Sequence, residues 1–349
     1  MATSRDPIVQ QVHDQVDNYE STVLGLLGFW RALTWRNKQV VAHHVSLGRK
    51  MSPQSTAVGE SADPLTPDEV LQIAEAIGFV VEAKRSMPSD QQHWRKYLSQ
   101  IQRYDQPLAG WWTATETITS HNVVLLLWTT YTREFQALIE AAQQQGTTKL
   151  TDRVSIVEFS HLQEAQEAMR FRLEWGSISD EGISRPLRSG ISVPLEILVA
   201  HPDSRTKFYD APPPTEYLMV ILWQEVFNSH LPELEFDSDT QAWPLEVSVP
   251  SLAEELQRLH GSTGDDPRER RFPRQSWVHT ALEAFCKIGL AQHIEDDRYL
   301  VLFKPTLRTT SQRDLISRFS SHRSAKPLDE TSLQEQLPLF STETPRRSS

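Results

Sequence analysis

Three consecutive prolines, Pro212 to Pro214, interrupt the chain about three fifths of the way along its 349 residues. Proline lacks an amide hydrogen and fixes φ, so such a run continues neither a helix nor a central strand. It forms a stiff, extended connector. We therefore predict a first domain at residues 1–203, a connector at 204–213, a second domain at 214–305 and a tail at 306–349.

The patterns of the first domain mostly predict helices. Ile8 to Leu27 carries apolar residues at three- and four-residue steps behind a favourable Asp6-Pro7 start. Thr66-Pro67-Asp68-Glu69 has the pattern of a capping box that opens another helix. Residues 123–145 and the segment after Ser160 are also predicted to be helical. Alternating residues at 195–199 indicate one strand, so the predicted fold class is mainly α (α+β).

The second domain has an informative order of predicted elements. Helices are expected from Thr215, from Ser251 and after Arg274, followed by two strands around residues 295–298. Helix, helix, helix, hairpin resembles the winged-helix domain over about residues 214–305. That resemblance implies DNA binding, with the third helix in the major groove and the hairpin on the backbone.

The candidate DNA-binding residues follow from this resemblance and are basic or polar. They precede the third helix, lie on its outer face or sit in the hairpin: Arg268, Arg270, Arg271, Arg274, Ser276, Thr280, Lys287 and Arg298. Glu283 on the same face would repel phosphate. We therefore expect weak, non-specific binding dominated by the DNA backbone.

Charge and composition narrow the function further. The net charge of −11 is unusual for a nucleic-acid binder, but residues 261–349 hold 14 Lys and Arg against 12 Asp and Glu, a net of +2. The single cysteine, Cys286, excludes an internal disulfide and a thiolate metal cluster. With no signal core and no long apolar run, the sequence predicts a cytoplasmic, nucleoid-associated protein without a membrane partner. The oligomeric state stays open.

The tail is predicted to be disordered because it is rich in polar residues and lacks periodicity. Within it, Gln336-Leu337-Pro338-Leu339-Phe340 resembles the peptide by which bacterial polymerases, repair proteins and initiators dock on the DNA sliding clamp. The resemblance implies that Gln336, Leu337, Leu339 and Phe340 bind the clamp, with Gln334 as an alternative source of the glutamine. The other interpretation is an amphipathic end that folds back on the body of the protein.

The leading functional hypothesis is a non-enzymatic accessory factor of bacterial DNA replication or repair, recruited by the sliding clamp and touching DNA weakly. Common catalytic motifs are missing, including a Gly-rich phosphate loop, His-Glu-x-x-His and Gly-x-Ser-x-Gly. The sequence therefore predicts no catalytic residue, no metal site and no cofactor. Two alternatives stay open: a winged-helix transcription regulator, and a nuclease or plasmid replication factor with its active site in the acidic N-terminal region.

Overall fold

The computed structural model describes residues 7–34, 42–54, 63–73, 77–85, 91–112, 118, 120–163, 167–200, 206–261, 272–308 and 310–323. The chain forms two compact units. The larger unit comprises Asp17–Pro212 and Glu254–Arg274, and the smaller unit comprises Met1–Val16, Pro213–Ala253 and Gln275–Ser349. Each unit is described by itself.

A seven-stranded mixed sheet is the centre of the larger unit. Its strands, with a separate short pair, are β1 (Ala42–Leu47), β2 (Ser52–Pro53), β3 (Glu69–Ile73), β4 (Ile77–Lys84), β5 (Leu108–Ala109), β6 (His121–Trp128), β7 (Val154–Gln163), β8 (Glu167–Gly176) and β9 (Ile191–Pro194). The spatial order is β1-β3-β4-β6-β7-β8-β9, and β2 pairs with β5. β4, β6 and β7 run parallel, whereas the other neighbours in the large sheet are antiparallel.

Helices accompany the sheet along the chain. They are α1 (Pro7–Thr34), α2 (Gln91–Tyr104), α3 (Thr132–Gln144), α4 (Glu181–Ser189) and α5 (Leu195–Ala200). α2 connects β4 to β6 and α3 connects β6 to β7, as parallel neighbours require. Side chains of α1 such as Phe29 join one apolar core, which also holds Val81 of β4. Side chains of α2 and α3 such as Phe135 join a second core, which holds Val80 of β4. The two faces of the central strands are therefore buried in different cores.

The predicted mainly helical N-terminal region is wrong, because the structure is α+β with a large mixed sheet. The pattern that begins at Thr66 is not a helix start: Asp68 accepts a hydrogen bond from the backbone N of Ala83 on the neighbouring strand, at 2.8 Å. The prediction of a helix at β6 is wrong. Both faces of this strand are buried, so its sequence lacks the alternation of apolar and polar residues that identifies a half-buried strand. The segment after Ser160 forms the antiparallel pair β7–β8. Conversely, α5 lies where a strand was predicted.

The smaller unit combines helices with a three-stranded antiparallel sheet. Its elements are α6 (Thr215–Ile221), a π-helical turn (Leu222–Phe227), α7 (Asn228–His230), β10 (Trp243–Ser248), the start of α8 (Val249–His260), α9 (Gln275–Lys287), β11 (Ala291–Glu295), β12 (Arg298–Phe303), α10 (Pro305–Arg308) and α11 (Gln312–Arg323). The strand order is β10-β12-β11. Trp223 is fully buried and stacks on Phe303 with ring centroids 4.6 Å apart.

The prediction of disorder from residue 306 is wrong where the structure has a helix. Within residues 306–349, α11 is a helix whose Leu315, Ile316 and Phe319 are buried. Residues 324–349 lie outside the described part of the chain. Across the described residues, no helix combines the length and the apolar character needed to cross a membrane.

Candidate active site

Two buried carboxylates and a lysine meet on one face of the β3–β4 pair. Asp68 immediately precedes β3, and Glu82 and Lys84 lie at the end of β4. Because side chains alternate along a strand, Glu82 and Lys84 share the face of Val80, which packs with α2 and α3. The hydrogen bond from the Ala83 backbone N holds the Asp68 carboxylate against β4. Antiparallel pairing of β3 with β4 thus brings together Asp68 and Glu82, which are 14 positions apart in the sequence.

Lys84 connects the two carboxylates. Its Nζ lies 2.9 Å from Glu82 Oε1 and 3.6 Å from Asp68 Oδ2. The Lys84 side chain is 33% exposed, whereas those of Asp68 and Glu82 are 8% and 5% exposed. Lys84 is therefore partly exposed, whereas the side chains of both acids are buried.

Helix α2 supplies the second layer of contacts. The Tyr104 hydroxyl donates to Glu82 Oε2 at 3.1 Å and accepts a hydrogen bond from Gln100 Nε2 at 2.6 Å. Gln100 and Tyr104 are four residues apart, so they lie on one face of the helix. Burial, reinforced by the charge of Glu82, raises the pKa of Tyr104 well above its usual range. The hydroxyl therefore stays protonated and fixes one oxygen of Glu82.

The electrostatics of the cluster are strongly perturbed. Burial raises the pKa of Glu82 to about 7, with a further rise from the charge of Asp68 and an opposing effect of Lys84. Burial alone would lower the pKa of Lys84, but the charges of Asp68 and Glu82 outweigh it and hold that pKa well above its usual range. Lys84 therefore keeps its positive charge. Perturbed groups that converge in this way are typical of functional sites.

The donor set fits a hard divalent cation. Mg²⁺ is commonly held by one or two carboxylates together with waters and substrate phosphates. Asp68 and Glu82 offer such a pair, and the Lys84 ammonium group lies within 4 Å of an oxygen of each. Among the described residues there is no group of three or more His, Cys, Asp or Glu side chains that could hold a metal on their own. Asp68 and Glu82 suit a metal that completes its shell with water and phosphate.

Glu69 occupies the opposite face of the same strand pair. It pairs in register with Val81, whose side chain lies in the core beside α1. Its carboxylate is fully buried, and within the described residues neither of its oxygens has a hydrogen-bond partner. Burial, with a contribution from Asp68, raises the pKa of Glu69 well above its usual range. Glu69 is thus separated from the Asp68–Glu82–Lys84 cluster by the sheet itself.

The described residues that the sequence predicts to bind DNA are divided between the two units. Arg268, Arg270 and Arg271 lie outside the described residues. Arg274 belongs to the larger unit, where it pairs with Asp210 at 2.5 Å.

The remaining predicted DNA-binding residues belong to the smaller unit. Ser276, Thr280 and Lys287 are exposed on α9. Arg298 is exposed too, but it forms ion pairs with Glu246 and Glu295. The predicted clamp-binding residues Gln336, Leu337, Leu339 and Phe340 lie outside the described part of the chain.

Sequence reasoning missed the Asp68–Glu82–Lys84 cluster although a signal was present. Glu82-Ala83-Lys84 ends an apolar run, and its two charged residues are two positions apart, which places them on one face of a strand. Asp68 stands directly before the preceding apolar run. The interpretation of Thr66 to Glu69 as a helix cap hides this pattern, because it assigns Asp68 to the start of a helix.

No protein-family model, no curated protein and no solved structure matches this chain. We therefore infer the function from the geometry of the site.

Proposed function

We propose that this protein is a metal-dependent phosphodiesterase that cleaves nucleic acid, with Asp68, Glu82 and Lys84 as its catalytic centre. The observation that carries the proposal is the lysine held between two buried, convergent carboxylates at 2.9 and 3.6 Å. Structural ion pairs are usually exposed and bring one acid to one base, whereas here two acids are buried close together at a cost in desolvation. A divalent cation would offset that cost.

Each residue has a distinct role in this proposal. Asp68 and Glu82 hold the cation, and the Ala83 backbone N and the Tyr104 hydroxyl keep their carboxylates in place. The bound metal would supply Lewis acidity toward a phosphoryl oxygen and lower the pKa of a coordinated water. Lys84 keeps its charge and is the most exposed member of the cluster, so it is placed to bind the phosphate as a point charge.

The order of elements in the smaller unit favours nucleic acid as the substrate. Its order of helix, strand, helix, helix, strand, strand, with the last two strands as an antiparallel hairpin, resembles a winged helix. Residues 261–349, of which 261–274 belong to the larger unit, have a net charge of +2 in a chain of net charge −11, and this favours contact with phosphate in that part of the sequence.

The test is cleavage by the full-length protein. Supercoiled plasmid, linear duplex and single-stranded DNA and RNA are incubated with Mg²⁺ or Mn²⁺, and with EDTA as the metal-free control. The variants Asp68→Asn, Glu82→Gln and Lys84→Met should each lower cleavage at least about 100-fold. The matched control Glu140→Gln alters an exposed glutamate on α3 and should cleave normally. Cleavage that persists in Glu82→Gln, or none by the intact protein with any substrate, would contradict the proposal.

The second candidate function is the non-enzymatic accessory factor recruited by the bacterial sliding clamp. It is favoured by the Gln336-Leu337-Pro338-Leu339-Phe340 sequence, in which a few apolar anchors would supply most of the binding energy. Calorimetry with a purified bacterial clamp tests it. Micromolar binding that is lost when Leu339 and Phe340 are both changed to Ala would support recruitment, and equal binding by that variant would contradict it. Recruitment is compatible with cleavage, because tethering raises the effective concentration of a weak DNA binder.

A further inference from the structure

Tyr97 is a buried tyrosine near the Asp68–Glu82–Lys84 cluster, and its hydroxyl makes no hydrogen bond to the cluster. Tyr97 lies seven residues before Tyr104 on α2, two helical turns away and on the same face. Its ring packs edge-on against Phe135 with centroids 5.3 Å apart, which fixes it in the core. Within the described residues the Tyr97 hydroxyl is buried and has no hydrogen-bond partner. A buried hydroxyl without a partner costs free energy.

Lys84 is a cation close to this tyrosine. Its Nζ lies 5.4 Å from the centre of the Tyr97 ring. Burial raises the pKa of Tyr97 well above its usual range, so the oxygen belongs to a neutral hydroxyl that can accept a hydrogen bond. Lysine has a flexible four-carbon stem and three donors, so a rotamer change alone can redirect its ammonium group.

The ammonium group of Lys84 and a divalent cation compete for the same carboxylates. Lys84 now lies within 2.9 Å of Glu82 and 3.6 Å of Asp68, where a metal held by the two acids would repel it. Lys84 must then move away while remaining close enough to meet phosphate. Such a move costs Lys84 its hydrogen bond to Glu82, so a protein acceptor near the new position would stabilise it.

We propose that Tyr97 is a positioning residue, whose hydroxyl accepts the Lys84 ammonium group when a divalent metal occupies Asp68 and Glu82. This inference rests on the metal-dependent function proposed above and adds a specific exchange of partners to it. Tyr97 acts through Lys84, since it favours the arrangement in which the carboxylates are available to the metal and the lysine is turned toward substrate.

The test is Mn²⁺ binding, measured by calorimetry on the full-length protein without nucleic acid. Tyr97→Phe should weaken Mn²⁺ binding about tenfold, the size of one hydrogen bond to a charged group. Lys84→Met removes the competing cation and should bind Mn²⁺ more tightly than the intact protein. In the Lys84→Met background, Tyr97→Phe should then have no further effect, because its action requires the lysine. Tyr131→Phe, a half-buried tyrosine on the turn before α3, is the matched control and should bind Mn²⁺ normally.

The outcomes separate this inference from the proposed function. If Tyr97→Phe binds Mn²⁺ as the intact protein does, or weakens binding equally with and without Lys84, the positioning role is refuted while the cleavage proposal stands. If the intact protein binds Mn²⁺ with the expected pattern but cleaves no nucleic acid, the positioning role stands and the proposed substrate is wrong. If it binds no Mn²⁺, both fail. A packing defect is recognised by its effect on unfolding, and Tyr97→Phe should not lower the free energy of unfolding.

Discussion

Substitution of Tyr104 tests whether its hydrogen bonds to Glu82 and Gln100 stabilise the fold and the proposed metal site. Tyr104→Phe removes a single oxygen that donates to Glu82 Oε2 at 3.1 Å and accepts from Gln100 Nε2 at 2.6 Å. Tyr104 is only 1% exposed, so water cannot readily replace it. Two hydrogen bonds are lost, and one of them is made to a carboxylate. We expect the free energy of unfolding to fall by about 1–3 kcal/mol.

The same substitution should weaken the metal site. Partners that orient a metal ligand are typically worth roughly 10–100-fold in affinity or activity. Tyr104→Phe should therefore lower Mn²⁺ affinity by about tenfold, measured by calorimetry, in addition to its effect on urea unfolding. With two compact units, the unfolding curve is resolved into its transitions, and the transition of the larger unit should shift. Tyr131→Phe, as control, should change stability by less than about 0.5 kcal/mol. Wild-type stability together with wild-type Mn²⁺ affinity in Tyr104→Phe would refute this reasoning.

Three further predictions concern other parts of the molecule. Trp223→Ala should destabilise the smaller unit by about 3–5 kcal/mol in chemical unfolding, because it empties the space beside Phe303, and a loss below 1 kcal/mol would contradict the stacked core. Gly176→Ala should lower the melting temperature, since φ is +78° there and a Cβ atom would lie 2.4 Å from the Val154 carbonyl oxygen; an unchanged melting temperature would contradict that geometry. Arg298→Ala should change the free energy of unfolding by less than about 1 kcal/mol, because its ion pairs are exposed, and a larger loss would show that they are structural.

Local signals in the sequence predicted local elements well. α1 and α9 have apolar residues at helical spacing and suitable ends, and the structure has helices there. The last two strands have a turn between them, and they form the antiparallel pair β11–β12. In these elements the residues that determine the structure are close together in the chain, so the pattern contains most of the information.

The sheet of the larger unit could not be predicted in the same way. β4 and β6 are buried on both faces, so they lack the alternation that identifies a half-buried strand. Asp68 makes its structural hydrogen bond to Ala83, which is a contact across strands rather than within a helix turn. The candidate site is equally hard to predict, because its residues come together only when β3 and β4 pair. The spacing of Glu82 and Lys84 is present in the sequence, but the pattern around Asp68 predicts the start of a helix.

The most direct test of the central claim is the position of a bound metal. Crystals of the full-length protein soaked in Mn²⁺ are measured at a wavelength where manganese scatters anomalously. We expect one peak within about 2–2.5 Å of oxygens of both Asp68 and Glu82, with Lys84 turned away from the carboxylates. No peak at these carboxylates, with Lys84 still between them, would contradict it.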